Sequence, residues 1–236
     1  MCQTCIDLNP PRLSRRTMLS ASLATLATAS LPACAAKPSK PSVTPDQALQ
    51  RLMDGHKAYM ENKSSAGDYG AGRAGRATGQ APFSAVLSCA DSRVLPELIF
   101  DAKPGEMFVL RVAGNVVNAE GTASLEYGTK VLGIPLIMVM GHSACGAVEA
   151  AIKVYRDKAS LPGHLPGLVD LIIPGVKAAE ATKPTDLLAA SIVENVRHTV
   201  RTIATTEPLL APMAKAGTIK VVGSVYDIAT GKVTLV

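Results

Sequence analysis

Short uncharged apolar runs alternate along this chain with longer stretches in which apolar residues recur at helical spacing. The short runs are partly β-branched, which is typical of buried strands in a parallel sheet. Strands are predicted at Phe83–Ser88, Met107–Arg111, Leu136–Met140 and Thr218–Tyr226, with Lys232–Val236 pairing back as a hairpin. This alternation of strands and helices predicts an α/β fold.

The first helix is predicted to begin after Thr44, because Thr44, Pro45 and Gln47 have the signature of a capping box with proline at the first helical position. His56 falls on the apolar face of this helix and is predicted to be a packed core residue. Ser64–Gly79 is predicted to be an irregular loop. Further helices are predicted at Pro96–Phe100, Thr122–Val131, Gly146–Arg156, Leu165–Ile173 and Thr185–Thr206, with a break at Pro174-Gly175.

Residues 1–36 are predicted to be an export signal. The segment Ser14–Leu19 resembles a twin-arginine motif, and the uncharged stretch after it leads to Leu31-Pro32-Ala33-Cys34, which resembles a lipoprotein cleavage box. Cleavage at the small residues around Cys34 is the alternative to a lipid anchor there. We expect an exported or periplasmic protein, a linker over residues 37–43, and one domain over residues 44–236.

The composition permits a substantial aliphatic core, since 47% of residues are apolar while aromatic residues make up only 3% and Trp is absent. The lack of aromatic residues argues against a platform that stacks single-stranded nucleic acid. The formal net charge is +5, of which the segment before Cys34 contributes +2 and the remainder +3. This mild charge predicts no nucleic-acid partner.

Chemistry is predicted where two of the strands end. Cys89 follows the first predicted strand, and His142 and Cys145 follow the third. Ligand sites in open α/β sheets collect at the carboxyl ends of strands, so two thiols and an imidazole there predict a zinc site with an open fourth position. The His-x-x-Cys spacing predicts that His142 and Cys145 share one face of a first helical turn. A Cys89–Cys145 disulfide is the alternative for the same two thiols. Cys2 and Cys5 are interpreted as part of the leader.

Asp91 and Arg93 stand beside the first of these ligands. A carboxylate and a guanidinium at this spacing can pair in a bidentate manner. Either this pair is a loop salt bridge, or Arg93 holds Asp91 so that the carboxylate accepts a hydrogen bond from a zinc-bound hydroxide.

The sequence Cys-x-Asp-Ser-Arg, followed about fifty residues later by His-Ser-x-Cys-Gly, resembles the β-class carbonic anhydrases, and in particular their plant-type branch. The resemblance implies a sheet of four parallel strands with an added antiparallel strand, and a homodimer or larger assembly with the N-terminal helix packed across the partner. It also implies one Zn²⁺ per chain and hydration of carbon dioxide to bicarbonate and a proton by zinc-bound hydroxide.

The resemblance also implies roles for further residues. The Gly146 N–H matches the group that faces the substrate. From the Asp91–Arg93 pair itself, we expect Asp91 to become a fourth zinc ligand in a closed form when Arg93 releases it. Gln80, Phe108 and Tyr127 are the matching polar and apolar pocket groups. The absence of Trp departs from the bicarbonate-regulated branch of the family, so such regulation is not expected.

Two other functions use the same ligands. One is hydrolysis of carbon disulfide or carbonyl sulfide, and the other is a non-catalytic zinc-binding module in which Asp91 is a permanent fourth ligand. No motif surrounds His56, His164 or His198, so the sequence does not identify a proton shuttle.

Overall fold

The structure is a computed structural model that describes residues 43–65, 69–70 and 72–236. The predicted export signal, the proposed lipid site at Cys34 and all of the linker except Val43 lie outside these residues. None of the helices in the described part of the chain is long and apolar enough to cross a membrane.

A five-stranded sheet with strand order β2-β1-β3-β4-β5 forms the centre of the fold. The first four strands are parallel, and β5 pairs with β4 in the antiparallel direction. The fold class and this mixed sheet confirm the expectations from the sequence. The strands are β1 (Ser84–Ser88), β2 (Met107–Arg111), β3 (Leu136–His142), β4 (Lys220–Tyr226) and β5 (Val233–Leu235).

The helices surround this sheet, and the first has the predicted capping box. The Thr44 side chain accepts from the Gln47 amide at 3.2 Å, and the Gln47 side chain accepts from the Thr44 amide at 2.8 Å. The helices are α1 (Pro45–Met60), α2 (Arg73–Arg76), α3 (Pro96–Ile99), α4 (Ala119–Glu126), α5 (Gly146–Asp157), α6 (Leu165–Asp170), α7 (Ile173–Ala181), α8 (Leu187–Ala204) and α9 (Leu210–Lys215).

The core lies on both faces of the sheet because side chains of the buried strands alternate between the two faces. Val86 and Met138 pack with α1 residues on one face, whereas Leu87 and Val139 pack with α8 residues on the other. All residues of β1 and β3 are buried. Burial on both faces explains why these strands are continuous apolar runs.

Several helix predictions were wrong at their boundaries or missed an element. Pro174 and Gly175 lie in the first turn of α7, where proline is tolerated because the first amides of a helix lack partners within it. α4 begins at Ala119, capped by Asn118, and continues as a π-helical turn over Tyr127–Val131. The predicted irregular loop contains α2, and α9 was not predicted.

Candidate metal centre

The predicted ligands occupy neighbouring strand ends. Cys89 directly follows β1, and His142 is the last residue of β3, which pairs with β1. From β1 the chain passes to β2 on one side and only later to β3 on the other side. Such a reversal of strand order opens a crevice at the carboxyl ends of the two strands, and Cys89 and His142 meet there.

A tight turn brings Cys145 to the same place. The prediction that His142 and Cys145 share a helix face is wrong, because His142 is in β3 and Cys145 is the residue that precedes the first turn of α5. Ala144, between them, has a left-handed backbone with φ of 54°. This turn reverses the chain sharply enough for both side chains to point to one centre. The potential ligand atoms of Cys89, His142 and Cys145 all lie within 4.8 Å of one another, and all three residues are buried.

The imidazole of His142 is oriented for ligation through Nε2. Its Nδ1 lies 2.9 Å from the Ser143 carbonyl oxygen. A carbonyl can only accept, so Nδ1 carries the proton and Nε2 has the free lone pair. Nε2 is buried and has no hydrogen-bond partner among the described residues. A buried acceptor of this kind costs free energy unless a cation or donor meets it.

The surroundings of the two thiols shift their pKa values in opposite directions. The Cys145 thiol, which donates to Cys89, is the largest cause that lowers the pKa of Cys89, to about 4. Proximity to His142 and the Gly114 and Asp91 amides lowers it further, against the opposing effect of burial. The pKa of Cys145 is raised, because its thiol donates to Cys89 and because it is buried. Burial lowers the pKa of His142, but the nearby Cys89 sulfur, the Ser143 carbonyl and the negative charge of Asp91 outweigh burial and raise it. The cluster therefore stabilises negative charge on sulfur.

This donor set fits zinc. Two sulfurs and one imidazole nitrogen are ligands that Zn²⁺ prefers, and three protein ligands are typical of catalytic zinc sites. Both cysteines of the described chain are free, so the thiols are not joined in the alternative disulfide.

Asp91 lies next to this group with its charge held by Arg93. The Arg93 Nε is 2.9 Å from Asp91 Oδ1 and Nη2 is 2.7 Å from Oδ2. These hydrogen bonds hold the pKa of Asp91 far below its usual range. Oδ2 is 3.9 Å from the His142 Nε2. The carboxylate thus stays ionised beside the ligand group, paired with Arg93 in the predicted bidentate manner.

Three hydrogen bonds that the sequence did not predict hold the ligand loop. The guanidinium of Arg111, at the end of β2, donates to the Cys89 carbonyl at 3.2 Å and to the Asp91 carbonyl at 2.5 Å. The Gly114 amide donates to Cys89 Sγ at 3.3 Å. A charged residue ending a strand was one sequence signal for Arg111, but neither its contacts nor that of the Gly114 amide with Cys89 was predicted.

The predicted pocket residues lie in different parts of the fold. Gly146 is the first residue of α5, next to Cys145, and an added Cβ there would meet no atom within 4 Å, so the space beside it is open. Gln80 is exposed in the loop before β1. Phe108 pairs with Ala85, four residues before Cys89, which is about 13 Å along the strand.

Tyr127 lies with Phe108 rather than with the ligands. The two ring centroids are 6.5 Å apart, and Tyr127 is 47% exposed. Within one chain, this aromatic pair is therefore separated from the metal ligands by most of the length of β1.

Known proteins resemble this chain over most of its length. A family model described as carbonic anhydrase matches residues 84–233. Carbonic anhydrase 2 of Mycobacterium tuberculosis is 33% identical over 202 residues, covering 83% of this chain and 94% of the relative. A carbonic anhydrase of Pseudomonas aeruginosa is 36% identical over 168 residues, covering 66% of this chain and 74% of the relative.

Solved structures share the architecture. The β-carbonic anhydrase CcaA aligns with a TM-score of 0.63 at 28% identity, covering 79% of this chain and 86% of that one. A Coccomyxa β-carbonic anhydrase in complex with acetazolamide aligns with a TM-score of 0.63 at 28% identity, covering 80% and 86%. A mostly parallel sheet with two thiols and an imidazole at its switch point defines an α/β protein with a zinc site. With these likenesses, the chain belongs to the β-carbonic anhydrase family.

Proposed function

We propose that the protein catalyses the reversible hydration of carbon dioxide to bicarbonate and a proton, with one zinc ion held by Cys89, His142 and Cys145. The observation that carries this proposal is the convergence of three buried ligand atoms within 4.8 Å at the switch point of the sheet, in a chain of the β-carbonic anhydrase family. Zinc in such a site supplies Lewis acidity, which makes water acidic enough to act as a nucleophile near neutral pH.

Asp91 orients the attacking water. As an ionised carboxylate it can only accept hydrogen bonds, so a water or hydroxide beside it must point its proton toward Asp91 and its lone pair toward the substrate. The Arg93 fork fixes the carboxylate in this role and holds it outside the ligand group. If Arg93 released the carboxylate, Asp91 would be able to hold the metal as a fourth ligand and so close the site.

The Gly146 amide stabilises charge on the substrate. Its N–H belongs to the first turn of α5, where amides lack partners within the helix. Preorganised backbone donors of this kind stabilise charge that develops on oxygen during the reaction.

The direct test is stopped-flow carbon dioxide hydration on the zinc-loaded protein across pH. Asp91→Ala is expected to keep zinc yet lose at least about 100-fold in hydration rate, because the nucleophile is no longer oriented. Cys145→Ser is expected to lose zinc and activity together. Asp54→Ala, which removes an exposed carboxylate of α1, is the control and should leave both unchanged.

Other results separate the alternative functions. Release of hydrogen sulfide from carbonyl sulfide or carbon disulfide, without carbon dioxide hydration, contradicts the proposed substrate. Stable zinc with neither activity in the wild-type protein indicates a binding module. Full activity in Cys145→Ser removes Cys145 from the ligand set.

We propose further that the active form is a homo-oligomer. Phe108 lies about 13 Å along the strand from Cys89 of its own chain, and the Tyr127 ring centroid is 6.5 Å from that of Phe108. If this aromatic pair lines a substrate pocket, a second copy must supply it. Analytical ultracentrifugation is expected to give a dimer or larger species, and a fully active monomer contradicts this assembly.

We propose also that the protein is exported. The support is the sequence pattern at Ser14–Leu19 and the small residues around Cys34. Replacement of Arg15 and Arg16 by lysine should block export, measured as periplasmic yield, whereas Arg12→Lys is the matched control. Metabolic labelling with a fatty acid, compared with Cys34→Ser, distinguishes lipidation from simple cleavage.

A further inference from the structure

A buried hydrogen-bond relay connects α8 to one of the zinc ligands. The Asn195 side chain donates from Nδ2 to the Gly114 carbonyl oxygen at 2.8 Å. The Gly114 amide in turn donates to Cys89 Sγ at 3.3 Å. Asn195 is fully buried, and Gly114 is buried as well. The relay thus runs through the interior, from a helix on one side of the sheet to the sulfur of Cys89.

Gly114, at the middle of the relay, needs a hydrogen bond from another residue to hold its backbone in place. Gly114 has a left-handed backbone with φ of 72°, and a Cβ there would lie 2.6 Å from the Ile172 Cδ1. Glycine therefore fits this close approach, but it also gives the backbone more freedom than any other residue. The carbonyl of Gly114 can only accept, so the Asn195 amide NH₂ is the group that fixes it.

Asn195 is itself rigidly placed. α7 approaches α8 so closely at this point that a Cβ on Gly175 would lie 2.7 Å from the Asn195 backbone nitrogen and Cα. The side chain is thus presented from backbone that the packing of two helices holds in place. A residue far from the ligands in sequence sets the position of the Gly114 amide.

We propose that Asn195 is a positioning residue for the zinc thiolate of Cys89. Through Gly114 it keeps one amide hydrogen directed at Sγ, and so sets how much charge that sulfur donates to the metal. The inference rests on the proposed function, because it concerns the same zinc site. Hydrogen bonds outside the ligand shell typically change metal affinity or activity by about 10- to 100-fold when they are removed.

The effect has a definite direction. An amide that donates to a thiolate withdraws electron density from the sulfur. Without the donor, the sulfur becomes a stronger electron donor, and its charge-transfer transition to a bound Co²⁺ moves to lower energy. A residue that only stabilises the fold does not move this transition.

The test uses full-length Asn195→Leu and Asn195→Ala, with Ser191→Ala as the matched control. Ser191 is one turn earlier on α8, is fully buried, and its Oγ has no hydrogen-bond partner in the described chain. In the Co²⁺-loaded Asn195 variants we expect a red-shifted sulfur-to-cobalt band and about 10-fold weaker zinc binding in a chelator competition. Ser191→Ala should keep the wild-type band and affinity. Asn195 variants that match Ser191→Ala in both measurements overturn the proposal.

A measurement on the wild-type protein keeps the proposal testable if the variants do not fold. In the ¹¹³Cd-loaded protein, the Gly114 amide proton should show a scalar coupling to cadmium through the hydrogen bond to Cys89. The Asn195 side-chain amide protons should exchange slowly with solvent. Absence of the coupling, or fast exchange of these protons, contradicts the relay. A wild-type chain that fails to bind zinc contradicts the proposed function instead, so the two failures are distinguishable.

Discussion

The buried side chain of His56 forms hydrogen bonds with two residues that are far from it along the chain. The Nδ1 of His56 lies 3.2 Å from the Ile99 carbonyl oxygen, and its Nε2 accepts from the Val233 amide at 3.0 Å. Both bonds are satisfied only by the neutral ring with its proton on Nδ1. Its predicted placement in the core is confirmed, since it is 6% exposed. The periodicity of α1 was sufficient for that prediction. The hydrogen bond with Val233 of β5 joins residues 177 positions apart, so no pattern of neighbouring residues predicted it.

This arrangement gives a prediction about pH. Burial lowers the pKa of His56 below its ordinary 6.5, and the Ile99 hydrogen bond opposes burial only in part. As the pH falls below about 6.5, the unfolded chain binds a proton that the folded chain does not, so stability decreases toward the folded pKa. The raised pKa of His142 acts in the opposite direction over the same pH range. The loss due to His56 is therefore measured by urea unfolding at about pH 7.5 and about pH 5.5, as the difference between the wild-type protein and a variant without His56.

The variant His56→Gln should reduce this loss between the two pH values, because its side chain does not titrate. At the higher pH it should be less stable than wild type by about 1 kcal/mol for a missing hydrogen bond. The exposed His164→Gln is the control and should keep the full pH dependence. An equal loss in His56→Gln and wild type contradicts the assignment.

At the scale of elements, the close packing of α7 against α8 positions the region behind the metal centre. A Cβ on Gly175 would lie 2.7 Å from Asn195 backbone atoms. The sequence did not predict α7, because Pro174-Gly175 has the composition of a chain break. Only the tertiary structure explains the glycine, since the neighbour that requires it is on another helix.

Two helical glycines make a matched test of this packing. Gly175→Ala is expected to lower the free energy of unfolding by about 1–3 kcal/mol, because the added methyl group meets backbone that cannot move aside cheaply. Gly167→Ala, in α6, adds a methyl group with no atom within 4 Å and should raise stability by about 0.5–1 kcal/mol. Chemical denaturation of both variants measures the difference. Equal effects of the two substitutions contradict the tight α7–α8 contact.

At the scale of the whole molecule, the separation between Tyr127 and the ligands is the reason for proposing that the assembly takes part in the mechanism. Carboxyl-end residues of β1 and β3 form the metal group, whereas Phe108 and Tyr127 lie toward the other end of the sheet. We expect a mixed dimer of an Asp91→Ala chain and a Tyr127→Ala chain to have about half the wild-type activity, because one of its two sites is then intact.

The mixed dimer should be purified through two different affinity tags and assayed by stopped flow. A mixed dimer of Asp91→Ala with Arg93→Ala is the matched control. Both residues act at the metal site of their own chain, so each of the two sites in this dimer carries one substitution and neither is intact. If the mixed dimer that carries Tyr127→Ala has no more activity than the mean of its two parent variants, that result contradicts the proposal of a shared pocket.

The sequence by itself determined the class of fold and the chemistry of the metal group. Uncharged apolar runs such as those of β1 and β3 are typical of buried parallel strands, and ligands collect at the carboxyl ends of such strands. Cysteine and histidine at two strand ends therefore predicted zinc, with a Cys89–Cys145 disulfide as the alternative. These are local signals, readable from neighbouring residues.

Only the tertiary structure decided how the ligands converge and what supports them. The left-handed Ala144 turn replaced the predicted helical face for His142 and Cys145. The Asn195–Gly114 contact joins residues 81 positions apart. Such contacts depend on which elements pack together, and packing is a property of the assembled core rather than of any one stretch of chain.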